Sequence, residues 1–594
     1  MTKGLRHPLT VLILAALTVF VNALGIQYGF DAQRLLYASP NLLHLIAVLA
    51  LYFLYRQNLP WHSCQKRLVW CLAALSALLS LGYQLHNFDT TGYFSRLSLF
   101  RCGIPLLILL CNTILFRTLF DILFLRLSTL LREPNGKAWR HRSWFLLFLL
   151  CSLPSYIALF PGTIQWDNGT MLQMAYGIKP LSNDNPLFHT GLMYLLRLLA
   201  ERSSATFAIA LYTLLQTLLQ CWLMAAVTVR LQAIHKKFAW ALVGFYLLMP
   251  AFGNYAASLG KDLPFALAIL YFSLLLYDLL LGSAVFFQRK NNYFKLFAAG
   301  FLMCALRNIG LYLFLLSALP TGIYLLQKGF KTKALCYLCA CACGLLASTL
   351  LLQVSMRSLQ AAPEKQGANR SLQLQQVARV IHLYGADALT EWEQQSVDVV
   401  MDIKAIPGNY QSGYSDHIKD LYREKLTAEA KQNFTKAYWS IARRYPFQYI
   451  EATYLNVYAY YIPGIHTDLK PNLFYDYHYI DNIPDFQPAT HSPLLGWFRS
   501  LSAVYRRLPV IDIMVSSGFL QYLHLIVLCA VLAGKRRRYL LAMLPSLLYA
   551  IGLIASPING YYRYCLPTLL TAGTSLLLML RALQETTENV CEKA

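Results

Sequence analysis

Ionisable residues stand at four places in this chain where long apolar runs end. Asp167 follows a Pro-Gly break in FPGTIQWDNGTM (160–171), and Asp184 and His189 follow within SNDNPLFHTGLMYLL (182–196). Three later segments contain the pairs Lys261 and Asp262 (LGKDLPF), Arg307 and Asn308 (LRNIGLY), and Arg563 and Tyr564 (SPINGYYRYCLP). Lysine and arginine bind phosphate, and a positioned carboxylate accepts a proton. Together the segments predict a site that binds a phosphate and moves a proton.

Most of these residues also have a purely structural interpretation. Asp167 suits the N-cap of the helix that follows it, and Asp184, which precedes Asn-Pro, suits a turn. His189 lies on an apolar stretch, so a buried histidine with its hydrogen bonds satisfied is as consistent with the sequence as a ligand or an acid–base group.

The segments with basic residues have structural interpretations as well. Lys261 and Asp262 suit a local ion pair at a helix start, and Arg563, at the beginning of an apolar run, suits a side chain that extends outward to water. Arg307 is harder to explain structurally, because an ionisable group at membrane depth is costly and indicates function. Arg117 and Asp121, four residues apart within one apolar run, are predicted to pair with each other.

Composition places these segments in a membrane protein. The 594 residues are 57% hydrophobic and only 13% charged, with a mean hydropathy of +0.44, whereas soluble domains carry about a quarter charged residues. Apolar runs recur that are long enough to cross a hydrocarbon core of ~30 Å. The sequence therefore predicts an all-α polytopic membrane protein with about 13–14 transmembrane helices.

The predicted spans leave one large polar region. Spans are expected near 9–27, 41–55, 67–83, 102–126, 143–160, 205–229, 238–254, 263–284, 296–306, 310–327, 334–354, 516–534, 539–557 and 563–582. The run 296–306 is short for a straight crossing, so it is predicted to tilt or to be part of a broken helix. Residues 355–515 are predicted to form a mainly helical domain, with helices at 371–385 and 427–464, a break at Pro446, and an ordered loop over 465–495.

The distribution of basic residues predicts how the chain is oriented in the membrane. The net charge is +23, yet residues 355–515 hold 16 basic and 16 acidic residues, so the excess lies in the short loops between apolar runs. This positive-inside pattern argues against a nucleic-acid partner and for contact with membrane lipids. With both termini cytoplasmic in a plasma membrane, alternation puts the basic loops inside, and residues 161–204 and 355–515 outside.

The chain is accordingly divided into four parts. Residues 1–142 form N-terminal spans, 143–354 a catalytic core with outer loop 161–204, 355–515 an extracytoplasmic domain, and 516–594 C-terminal spans with a cytoplasmic tail. All the chemical segments then lie at the outer face, where no nucleotide sugar is expected, and no Gly-rich nucleotide loop is present. These features favour a donor linked to a lipid phosphate, with a hydroxyl acceptor deprotonated by Asp167.

These segments resemble the GT-C superfamily of integral membrane glycosyltransferases, which includes protein mannosyltransferases, aminoarabinose transferases and oligosaccharyltransferase catalytic subunits. The chain is similar to bacterial multi-pass proteins with PGT-x-x-WD, KD-x-PFA, RN-x-GLY and YYRY-x-LP stretches, over roughly residues 143–582. By this resemblance Asp167 takes the place of the acidic residue in the first large outer loop. The resemblance implies a transferase that moves a sugar from a polyprenyl phosphate to a cell-surface glycan, lipid or protein.

Several points depart from that pattern. The spans over 9–126 lie outside the common core, and Asn168 stands where many relatives carry a second acid, so no paired-carboxylate metal site is implied. No cofactor is certain, and a divalent metal ion held by Asp167, Asp184 and His189 stays open. Two other functions also stay open: a lipid-linked sugar flippase or transporter, and an O-antigen-ligase-like or polymerase-like enzyme with a pyrophosphate-linked donor.

Overall fold

The computed structural model describes residues 7–28, 42–56, 66–85, 99–132, 138–365, 367–467, 483, 486, 488–489, 492–505, 507–533 and 537–591. Within these ranges the chain is mainly helical and contains no β-strand, only four isolated bridges. The predicted all-α class is confirmed. Most of the ordered loop predicted over 465–495 lies outside the described residues.

Within the described ranges, five helices precede the first chemical segment. They are α1 (Pro8–Tyr28), α2 (Leu42–Arg56), α3 (Lys66–Leu85), α4 (Leu99–Arg132) and α5 (His141–Ala158). In α4 the Arg117 guanidinium lies 3.3 Å from the Asp121 carboxylate, as predicted from their spacing. This pair lies in the N-terminal spans and is not part of the site described below.

The next helices belong to the segment 161–204 and the central spans. They are α6 (Trp166–Ala175), α7 (Leu187–Arg202), α8 (Ala205–Ile234), α9 (Lys236–Leu248), α10 (Pro250–Ala256), α11 (Asp262–Leu281), α12 (Ser283–Gln288), α13 (Asn291–Leu306), α14 (Gly310–Gln327) and α15 (Lys331–Ser358). The predicted single span over 238–254 is bent by 65° between α9 and α10. Pro250 explains the bend, because a proline disfavours helical backbone at the residue before it.

The polar region and the C-terminal spans complete the chain. The helices of the polar region are α16 (Ser371–Tyr384), α17 (Glu391–Asp398), α18 (Ile406–Asn409), α19 (Asp416–Lys419), α20 (Ala428–Arg444) and α21 (Pro446–Tyr461), and those that follow are α22 (Leu494–Tyr505), α23 (Pro509–Met514), α24 (Ser517–Ala533), α25 (Leu540–Gly552) and α26 (Leu566–Cys591). The predicted break at Pro446 is confirmed, since α21 begins there.

Seven of the described helices are long and apolar enough to cross a membrane, or eight if the bent pair counts as one span, and four shorter apolar helices accompany them. These helices make the chain an all-α membrane protein, while the predicted number of 13–14 crossings stays a prediction. The two most enclosed spans are α11 and Tyr562–Gln584, which includes most of α26. In each of them 83% of the most apolar 18-residue stretch is buried. The site lies at the ends of these two central helices.

Candidate functional site

Five charged residues from four separate segments meet at one end of the central helices. Asp167 lies in the first turn of α6 and Arg307 between α13 and α14, while Lys261 and Asp262 stand at the start of α11. Arg563 lies in the 3₁₀ turn Tyr562–Cys565 that leads into α26. The structure therefore brings together the charged groups that the sequence placed at the outer ends of separate apolar runs.

Asp167 is held between two cations. Its Oδ2 atom lies 2.9 Å from Arg563 Nη2 and 3.6 Å from Lys261 Nζ. The side chains of Arg563 and Lys261 are only 9% and 8% exposed, whereas that of Asp167 is 26% exposed. The carboxylate is therefore the open member of a largely buried ion cluster.

Asp262 connects the remaining cations to the same cluster. Its Oδ1 atom lies 3.2 Å from Arg307 Nη1, and its Oδ2 atom lies 3.8 Å from Arg563 Nε. Arg563 thus bridges the two carboxylates. At formal charges the three cations and two carboxylates leave one positive charge in excess, and this ion cluster sits in a low-dielectric surrounding where such charge acts strongly.

These contacts correct three structural interpretations. The N-cap of α6 is Gln165, so Asp167 pairs with cations instead of capping. The ion pairs of Lys261 and Asp262 run to other segments in place of the local pair, because both side chains are buried beside partners of opposite charge. Arg563 does not extend to water, since two carboxylates hold it inward.

A polar cavity of about 480 Å³ opens beside the ion cluster. Its lining includes the predicted residues Asp167, Asp184, Lys261, Arg307, Asn308, Arg563 and Tyr564. Asp262 lies behind this lining and reaches the cavity through its arginine partners. A volume of this size is typical of small-ligand sites.

His189 is the predicted site residue that the structure places apart. It is fully buried on α7, with Nε2 3.1 Å from the Tyr212 hydroxyl and Nδ1 3.4 Å from Met171 Sδ. Burial, together with the nearby charge of Lys261, lowers the pKa of His189 to about 3, so the ring is neutral. His189 is not among the lining residues, and its role in substrate binding stays a prediction.

Three further charged residues of the lining were not predicted from the sequence: Glu364, Asp416 and Lys419. The Glu364 carboxylate accepts a hydrogen bond of 2.9 Å from Asn308 Nδ2, and Lys419 Nζ lies 2.5 Å from Asp416 Oδ1. All three belong to the polar region, where charged residues are common, so no pattern in the sequence distinguishes them from surface residues.

Short backbone bridges fix the segments around the cavity. Thr163 pairs with Ser258, Ser182 with Ala362, and Tyr414 with Ile558. The second bridge is reinforced by the Asp184 carboxylate, which accepts a 2.8 Å hydrogen bond from Lys365 N. The three bridges join the segment 161–204 to the Lys261 segment and to the polar region, and the polar region to the Arg563 segment.

An apolar groove of about 560 Å³ adjoins the polar cavity. Its walls come from the start of α7, the end of α13, the start of α14 and the last turns of α15, with side chains such as Phe188, Leu311, Tyr312 and Leu352. Pro186, Asn308, Ile309 and Glu364 line both the groove and the cavity. The two spaces are therefore neighbours at the same end of the spans.

Two carboxylates that line the cavity, Asp167 and Glu364, have pKa values shifted in opposite directions. Burial alone would raise the pKa of Asp167, but Arg563 and Lys261 outweigh it and hold that pKa well below its usual range. Burial raises the pKa of Glu364, and Asp184 raises it further. Burial lowers the pKa of Lys261 although Asp167 and Asp262 oppose this.

The residues present do not fit a protein-held metal ion. No group of three or more His, Cys, Asp or Glu side chains in the described ranges could hold one. Asp167, the first expected ligand, is engaged by Arg563 and Lys261, and His189 is turned to Tyr212.

Fold and site define a helical membrane protein with an ion-lined cavity and an apolar groove at one end of its spans. The chain belongs to a family of unknown function (DUF6020), whose family model matches residues 179–593. The matched part contains Lys261, Asp262, Arg307 and Arg563, and it begins after Asp167. No curated protein and no solved structure matches the chain.

Proposed function

We propose that this protein is a membrane glycosyltransferase that transfers a sugar from a polyprenyl-phosphate-linked donor to an acceptor at the extracytoplasmic face. The observation that carries the proposal is the ion cluster with one excess positive charge, placed where a polar cavity adjoins an apolar groove. The expected GT-C-like fold and the bacterial cell-envelope setting belong to the same proposal. The acceptor is a cell-surface glycan, lipid or protein.

The charge of the cluster favours a single phosphodiester. Arg307, Lys261 and Arg563 carry three positive charges against the two negative charges of Asp167 and Asp262, and a phosphodiester monoanion neutralises the remainder. A pyrophosphate-linked donor, as in an O-antigen-ligase-like enzyme, would leave the ion cluster negative. Because the cations are largely buried, an uncompensated negative charge there would be costly.

The apolar groove favours a lipid donor over a free sugar phosphate. A polyprenyl chain in the groove would enter between Pro186 and Ile309, and its phosphate would then lie next to Asn308 in the polar cavity. Burial of apolar chain contributes about 0.8 kcal/mol per CH₂ group. The groove therefore supplies binding free energy, and the cluster supplies the position of the phosphate.

The transfer is a displacement at the anomeric carbon of the sugar. The acceptor oxygen forms a bond to this carbon while the bond from the carbon to the phosphate oxygen breaks, and that electron pair leaves with the lipid phosphate. The acceptor proton passes to the Asp167 carboxylate. Arg307 and Arg563 stabilise the second negative charge that develops on the phosphate.

Charge balance supports Asp167 as the base. With the donor bound, the cluster is neutral, and after transfer the phosphate has gained one negative charge while Asp167 has lost one. The site stays neutral throughout if Asp167 takes the proton. A bound phosphate would also compete with Asp167 for Arg563 and Lys261. This competition would raise the pKa of Asp167, which the two cations otherwise lower, and would make the carboxylate a stronger base.

The test measures sugar transfer from a synthetic radiolabelled polyprenyl-phosphate hexose by the purified full-length protein in lipid nanodiscs. Asp167→Asn should lower kcat by about 10²–10⁴-fold, the usual contribution of a general base. Binding of polyprenyl phosphate should be retained or become tighter, because the variant cluster carries one more positive charge.

Glu429→Gln is the matched control, since Glu429 is an exposed carboxylate of the polar region and lines neither space. Wild-type transfer by Asp167→Asn would overturn the assignment of the base. In sealed proteoliposomes, movement of intact donor across the bilayer without release of sugar would favour a flippase instead. Use of pyrophosphate-linked donors alone would favour the ligase-like alternative.

A further inference from the structure

The polar cavity has two chemically different ends. One end is shared with the apolar groove through residues such as Ile309 and Glu364. The other end is lined by Ser371, Asp416, Lys419, Ser556 and Tyr564, which do not line the groove. A donor with its chain in the groove and its phosphate on the ion cluster directs its head group to this second end.

The second end presents a hydrogen-bond donor and an acceptor side by side. Lys419 Nζ lies 2.5 Å from Asp416 Oδ1, and the two side chains are 25% and 22% exposed. An ammonium group has three donors and a carboxylate about four acceptor positions, so the contact between them leaves both with capacity facing the cavity. Burial would lower the pKa of Lys419, but Asp416 raises it above its usual value, which keeps the ammonium group charged.

The pair is fixed relative to the phosphate-binding cations. Ser415, beside it in the chain, donates from its backbone N–H to the Pro557 carbonyl at 2.8 Å, and Asn559 N–H donates to the Gly413 carbonyl at 2.8 Å. The Ser415 hydroxyl is also hydrogen-bonded to the Ser371 hydroxyl at 2.6 Å. Because residues 557–559 lead directly to Arg563, a ligand held by that arginine meets Asp416 and Lys419 at a set distance.

We propose that Asp416 and Lys419 bind two adjacent hydroxyl groups of the donor's sugar, so that the polar region determines which sugar is transferred. This inference rests on the proposed glycosyltransferase function. One hydroxyl accepts from the ammonium group and its neighbour donates to the carboxylate. The pair is formally neutral, so it suits an uncharged sugar, and it disfavours one that lacks either hydroxyl because a polar group in the site would be left unpaired.

The experiment compares binding of two probes by the full-length protein in nanodiscs: polyprenyl phosphate, and the same lipid carrying a neutral hexose. The main variant is Asp416→Asn combined with Lys419→Met, which leaves the net charge of the cavity unchanged. Its affinity for the hexose-bearing probe should fall by about 10-fold or more, the range for hydrogen bonds to charged groups. Its affinity for polyprenyl phosphate should not change.

Deoxy analogues of the hexose locate the recognised hydroxyls. Removal of the correct hydroxyl should weaken binding to the native protein but have little further effect in the double variant, because the two changes act on one interaction. Lys419→Arg, which keeps the charge and the donors, should retain part of the preference for the hexose-bearing probe that the double variant loses. Lys436→Met, at an exposed lysine that lines neither space, should change nothing.

The outcomes separate this inference from the function on which it rests. If the native protein binds both probes and the double variant keeps full affinity for the hexose-bearing probe, Asp416 and Lys419 form only a local ion pair and the inference is overturned. If the native protein binds neither probe, the proposed function itself fails. An equal loss for both probes would show a structural defect and would also overturn the inference.

Discussion

The central residue of the site combines two properties that oppose each other. Asp167 is well paired, with Arg563 Nη2 at 2.9 Å, and a carboxylate stabilised by cations is a weak base. The proposed donor brings a negative phosphate to the same cations, which raises the pKa of a neighbouring carboxylate. We therefore expect Asp167 to become an effective base only when the donor is bound, so that the empty site does not take up a proton unproductively.

This coupling predicts different acid limits for two kinetic parameters. Activity requires the ionised carboxylate, so it falls as the pH drops through the pKa of Asp167. The limit of kcat/KM reports the free enzyme and should lie below the usual aspartate range, because Arg563 and Lys261 lower that pKa. The limit of kcat reports the donor complex and should lie higher. Both are read from pH profiles of transfer.

Lys261→Met provides the control for this prediction. Removal of one of the two cations that contact Asp167 should move the acid limit of kcat/KM upward, whatever it does to the size of kcat/KM. Coincident limits for the two parameters in the native protein, or a limit that does not respond to this substitution, would mean that another group controls the pH dependence.

At this scale the sequence predicts the site unevenly. Arg307 stands out because an ionisable group at membrane depth has few structural explanations, and it lines the cavity. Arg563 also lines the cavity, although the sequence is equally compatible with a side chain that extends to water. The pairing does not follow from the sequence: Asp262 joins Arg307 and Arg563 from segments about 45 and 300 positions away in the chain. Glu364 and Lys419 lie among many charged residues, so only the folded chain distinguishes them.

The elements hold the site through short bridges rather than through a sheet. Thr163 N–H donates to the Ala257 carbonyl at 2.7 Å, and Leu259 N–H donates to the Thr163 carbonyl at 3.1 Å. These bonds place the turn before α6 directly against the segment that leads to α11. The position of Asp167 relative to Lys261 therefore depends on close backbone contact at this turn.

Gly162 permits that contact, and its substitution should disrupt it. Its φ is +149°, and a Cβ atom there would lie 2.7 Å from Ile209 Cγ2 and 2.9 Å from the Ala257 carbonyl oxygen. We expect Gly162→Ala to destabilise the protein by about 1–3 kcal/mol through strain and overpacking, and to lower kcat by ~10²-fold through displacement of Asp167. Thermal unfolding and transfer assays in nanodiscs measure the two effects.

Gly191→Ala is the matched control on the neighbouring helix α7. Gly191 is exposed, and a Cβ there would meet nothing within 4 Å, so alanine should stabilise the helix by roughly 0.5–1 kcal/mol with kcat unchanged. Native-like transfer by Gly162→Ala would mean that the turn before α6 does not position the reacting groups.

Helix boundaries follow from the sequence where a polar or helix-breaking residue marks them. The polar pair Arg307 and Asn308 marks the break between α13 and α14, and the sequence predicts this break. The bend at Pro250 was not predicted, because hydropathy continues through it and a proline within an apolar run is also compatible with a straight span. Apolar pattern therefore locates helices well and their bends poorly.

At the scale of the whole molecule, the basic loops and the cavity lie on opposite sides of the predicted membrane. The basic loops, such as the one with Arg289, Lys290 and Lys295, fall on the predicted inner side, and the ion cluster and the groove fall on the other. The central helix α11 begins at the cluster with Asp262 and ends at Leu281 near the basic side. A lipid would therefore enter the groove from the outer leaflet of the predicted membrane.

The orientation of the chain decides which donors can reach the cavity. Since the predicted alternation places residues 355–515 outside and the loop of Lys290 inside, Glu429→Cys should react with a membrane-impermeant maleimide on intact cells, and Lys290→Cys only after the membrane is opened. Both native side chains are exposed, and the native chain, whose own cysteines are present in both variants, supplies the blank. Labelling of Lys290→Cys alone on intact cells would put the cavity at the cytoplasmic face, where nucleotide-activated sugars are present, and a lipid-phosphate donor would then lose its main support.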